Sequence, residues 1–153
     1  MGLPDSIFRD ANRVAIQGLS LTKVEAVTFA AATTGSVAQH DLFTVTGDNL
    51  VTIFGICNTS LDSGGVATIS VGSVGNVAAI IPVTTATDID DGDIWVDATP
   101  GVQIEALPAS SLFVINDGQD ITYDILTATI TAGQIDFYCL YRPLESTARV
   151  VAA

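Results

Sequence analysis

Residues 121–141 read ITYDILTATITAGQIDFYCLY. Their pattern decides the fold class. Ile121, Tyr123 and Ile125 share one face at a spacing of two, as in a half-buried strand. The apolar phase then slips by one, and Leu126, Ala128 and Ile130 share a face. A bulge near Ile125–Leu126 accounts for such a slip. Ala132–Gly133 then reads as the turn of a last hairpin into QIDFYCLY.

Working outward, the same texture covers the chain from Lys23 onward. Val, Ile and Thr dominate, and turn pairs recur at short intervals: Thr34–Gly35, Gly47–Asp48, Gly64–Gly65, Gly75–Asn76, Asp91–Gly92, Pro100–Gly101 and Asp117–Gly118. The predicted strands are Lys23–Ala31, Gln39–Thr46, Leu50–Cys57, Ala67–Val71, Val77–Val83, Ile94–Asp97, Gln103–Leu107, Leu112–Ile115, Ile121–Thr131 and Gln134–Tyr141. Residues 67–71 alternate cleanly, which suits a sheet with one wet face. Leu50–Cys57 and Val77–Val83 are apolar on both faces, which places them at the centre of a sandwich or at a subunit contact. The expected fold is all-β: an antiparallel β-sandwich or jelly-roll of about ten short strands with an N-terminal arm.

At 153 residues, one domain is the expectation. The organisation reads as an arm over 1–22, a β-sandwich over 23–142 and a C-terminal tail over 143–153. In the arm, Ser6 is placed to cap a short helix ending near Gly18. Its apolar residues argue that the arm docks on something.

The composition is apolar and sparsely charged: 48% hydrophobic and 14% charged, against a usual charged share of about 25%. Such a chain is expected to carry sizeable subunit contacts. No run reaches the roughly 18 apolar residues of a membrane helix, and the start, MGLPDSIFRDANR, lacks the pattern of a secretory signal. The net charge is −12, and its layout is polarised. Arg9, Arg13, Lys23, Arg142 and Arg149 sit near the ends, and no Lys or Arg lies between them. Of the 17 acidic residues only Asp5, Asp10 and Glu145 lie outside that cation-free stretch. A body of this kind repels nucleic acid, whose binding depends on neutralising phosphates.

Catalytic patterns are missing. The one histidine, His40, stands in SVAQHDLFTV with no nucleophile elbow nearby. Cys57 and Cys139 lie in apolar runs without Cys-x-x-Cys spacing and read as free, buried thiols, with a disulfide the alternative if their strands are neighbours. No phosphate-binding glycine motif is present. The densest polar cluster is DIDDGDIWVD (88–97), in which Asp88, Asp90, Asp91 and Asp93 are calcium candidates because carboxylates around a glycine turn offer oxygen ligands. A solvated acidic turn anchored by Trp95 is the competing reading. Trp95, Tyr123, Tyr138 and Tyr141 offer themselves either as a sugar-binding face or as core and interface residues. No catalytic residue and no cofactor is expected, and the chain reads as a non-enzyme.

Four phrases carry a resemblance: TTGSVAQHDLFTVTGDNLVTIFGIC (33–57), TTATDIDDGDIWVDATP (84–100), INDGQDI (115–121) and IDFYCLYRPLESTARVVAA (135–153). In these the chain resembles small virion-associated proteins of tailed bacteriophages and prophages, of the head decoration or cement type encoded near the major capsid protein. The resemblance implies a virion structural protein on the outer surface of the phage head. It would be made in the host cytoplasm, partner the major capsid protein and itself, often as a homotrimer, and stabilise the shell. Neither nucleic acid nor membrane would be a partner. Ile7, Phe8, Arg9, Arg13, Arg142 and Arg149 are the expected capsid or subunit contacts. The alternatives are a receptor- or glycan-binding fibre or spike module, or a neck or tail component of the same particle.

Overall fold

A computed structural model of the chain describes residues 20–108 and 110–153. The expected arm, with Ser6, Ile7, Phe8, Arg9 and Arg13, falls outside the described residues. Eleven strands follow in chain order: β1 (Ser20–Thr28), β2 (Gln39–Thr46), β3 (Asn49–Ser63), β4 (Thr68–Ser73), β5 (Asn76–Thr85), β6 (Asp93–Trp95), β7 (Gly101–Val102), β8 (Phe113–Ile115), β9 (Ile121–Leu126), β10 (Ile130–Pro143) and β11 (Arg149–Ala152). The only helical element among the described residues is one 3-10 turn, Ala86–Asp88.

The strands form two antiparallel sheets facing each other. The first has the order β1-β10-β3-β6-β7, with β8 also pairing β3. The long β3 takes β10 along one edge and shares its other edge between β8, at residues 49–51, and β6, at residues 55–56. The second sheet has the order β11-β2-β9-β4-β5. Alternation explains the core between them. Ile135, Phe137 and Cys139 on β10 and Val51, Ile53 and Cys57 on β3 point inward and are buried. They meet Ile121, Tyr123 and Ile125 from β9 and Ile69 and Val71 from β4. Trp95 is fully buried, edge-on to Phe137, and its indole N–H donates to the Thr84 hydroxyl at 3.0 Å. Each large aliphatic or aromatic side chain enclosed here stabilises by about 1.5–3 kcal/mol relative to exposure.

Four sequence expectations change. The phase slip in 121–131 is a corner, not a bulge: β9 ends at Leu126, Thr127 takes φ 69°, and the Ala128 N–H donates back to the Leu126 carbonyl. The chain thereby leaves the second sheet and enters the first as β10. Ala132–Gly133 is not a hairpin turn but a bulge inside β10, where the pairing register with β3 shifts repeatedly between Ile130 and Ile135. Gly133 has φ 119°, and a Cβ there would stand 2.8 Å from the Leu61 Cα, so glycine is required. The expected strand Gln103–Leu107 does not form. Gln103 takes φ 71° in a three-residue turn closed by the Ile104 N–H on the Val102 carbonyl, and the positive φ ends β7. Finally, the expected tail 143–153 contains β11, which pairs β2 at the rim of the second sheet and buries Val150.

Candidate functional site

The acidic turn is built as a local hydrogen-bonded loop. Asp93 is 5% exposed and turns its carboxylate inward, where Oδ2 accepts the Asp90 N–H at 2.8 Å. The Asp91 N–H goes to the Ser60 hydroxyl and the Gly92 N–H to the Cys57 carbonyl. Asp88, Asp90 and Asp91 point outward and are exposed. Among the described residues no three His, Cys, Asp or Glu side chains gather closely enough to hold a metal ion. The four calcium candidates therefore do not form a cage, because their carboxylates splay around the turn rather than converge.

His40 serves packing. Its ring stacks on Tyr123 at 4.8 Å, and its Nε2 lies 3.0 Å from the Ser36 carbonyl. Burial raises the Asp124 carboxyl above its ordinary value, and the nearby His40 partly offsets this. The two thiols are buried, and burial pushes Cys57 up to about 11 and Cys139 up to about 12. At neutral pH both are protonated and poor nucleophiles. Pairing them is excluded by register: Cys139 lies opposite Ile53 and Cys57 opposite Ile135, four residues or about 13 Å apart along the sheet.

The four aromatic candidates do not share a face. Trp95 and Tyr123 are in the core, and Tyr141 faces inward on β10. Tyr138 alone points outward, stacked on Phe54. A cleft of about 220 Å³ lies between β5 and β8, and no acid, base, thiol or imidazole lines it. A neighbouring cleft of about 420 Å³ has one carboxylate, Asp97, already accepting from the Thr99 N–H and hydroxyl.

The feature that stands out is the outer face of the first sheet. On β10 the outward residues are Asp136, Tyr138, Leu140 and Arg142, and their partners on β3 are Ile56, Phe54, Thr52 and Leu50. Ile94 on β6 extends the row of Ile56, and Val114 on β8 extends the row of Leu50. Phe54 and Tyr138 stack in parallel with ring centroids 5.1 Å apart. The face is largely apolar and half-buried, with the polar Thr52 2% exposed at its centre, one acid at one end and one base at the other. Oδ1 of Asp136 is buried with no hydrogen-bond partner among the described residues. The sequence signal for this face is the strand apolar on both sides, 50–57. The other strand of that kind, β5, lies instead at the edge of the second sheet with Val83 exposed.

The two expected contact arginines within the described residues are not brought together. Arg142 lies on this face, whereas Arg149, opposite Thr46, is exposed on the outside of the other sheet. No family model, no curated protein and no solved structure matches the chain.

Proposed function

We propose that this chain is a structural component of a tailed-phage particle, acting by binding rather than catalysis, as a decoration protein on the outer surface of the head. The observation that carries the reading is the apolar outer face of β10 and β3 on an otherwise acidic body. An apolar, half-buried outer face of this kind, with no catalytic cluster among the described residues, suits a protein that acts by contact with a neighbour. The acidic remainder keeps assembled particles apart and disfavours nucleic acid. The four resembling phrases supply the particle type, the major capsid protein as partner and the virion as location. No helix among the described residues is long and apolar enough to cross a membrane.

The test is to add purified chain to heads lacking it and to measure bound copies and heat resistance of the shell. Copies saturating in the hundreds, with a more heat-resistant shell, support decoration. Saturation at a single ring of copies moves the protein to the neck or tail, and no binding overturns the reading. The fibre or spike alternative is weakened by the dispersal of Trp95, Tyr123, Tyr138 and Tyr141.

A further inference from the structure

We draw no further inference here: the strongest candidate, the cleft between β5 and β8 lined by Ile80, Phe113, Asn116 and Gln119, has no charged side chain in its lining, and nothing in the structure shows what occupies it.

Discussion

The two sheets share one core but present opposite outer surfaces. Outside the second sheet stand Gln39, Asp41, Thr44 and Thr46 on β2, Thr122 and Asp124 on β9, and Thr68 and Ser70 on β4. Part of that surface is closed by the chain itself. The start of β5 folds back over β4, so that the Ser70 hydroxyl donates to the Val77 carbonyl and the Asn76–Ala78 backbone lies against Gly72. Outside the first sheet, by contrast, Leu50, Phe54, Ile56, Tyr138 and Leu140 form apolar rows. One outer face is polar and partly closed by β5; the other is apolar and half-buried, with Thr52 enclosed at its centre. This difference is the observation on which the proposed function rests.

A large effect should come from the self-covered sheet. Gly72→Ala would place a Cβ 2.0 Å from the Asn76 carbonyl oxygen and 2.5 Å from the Val77 carbonyl carbon, and unfolding in denaturant should show a loss of roughly 3 kcal/mol. An unchanged midpoint would mean that β5 does not close over β4. Next comes the contrast within β3. Ile53→Ala on the inner face, where Ile53 is 1% exposed, should cost about 2–5 kcal/mol. Ile56→Ala on the half-buried outer face should cost about 1 kcal/mol. Equal costs would remove the distinction between the faces.

Smaller again is a matched pair of surface changes. Leu140→Lys, at a half-buried position, should cost about 1 kcal/mol of stability, whereas Thr44→Lys on the other sheet should stay within about 0.5 kcal/mol.

The smallest effect concerns Asp124. Its folded carboxyl is held above the ordinary value by burial, so the charged form costs stability once pH exceeds the unfolded value. Asp124→Asn should therefore raise the melting temperature slightly at pH 7. That gain should fade as pH drops below the carboxylate range, where the carboxyl is neutral in both states. A gain independent of pH would point to altered hydrogen bonding instead.

Much of the fold was legible locally. The strand-forming residues of 39–46, closed by the Gly47–Asp48 turn, predicted β2 at its observed bounds, and the phase slip after Ile125 marked a real discontinuity. Its nature was not legible, because a bulge within one sheet and a corner between two leave the same apolar slip. The segment 103–107 looked like a strand by its Ile and Leu content, but nothing in residue type announces a positive φ at a glutamine. β11 was missed because a four-residue strand at a chain end has no periodicity of its own; it exists because β2 offers it an edge. At the candidate site, the aspartates of 88–97 suggested a cage, yet whether carboxylates converge depends on the path of the turn. Arg142 and Arg149 looked like one basic end and lie on opposite sides of the sandwich.

By itself, the sequence determined the all-β class, the absence of a recognisable catalytic pattern and the cation-free acidic body, since these depend on composition and on spacings of two residues. Tertiary structure alone decided which side of β3 and β10 faces the core. A strand apolar on both sides carries no mark of inside and outside, and only its register against strands far away in the chain assigns one side to the interior and leaves the other as a surface.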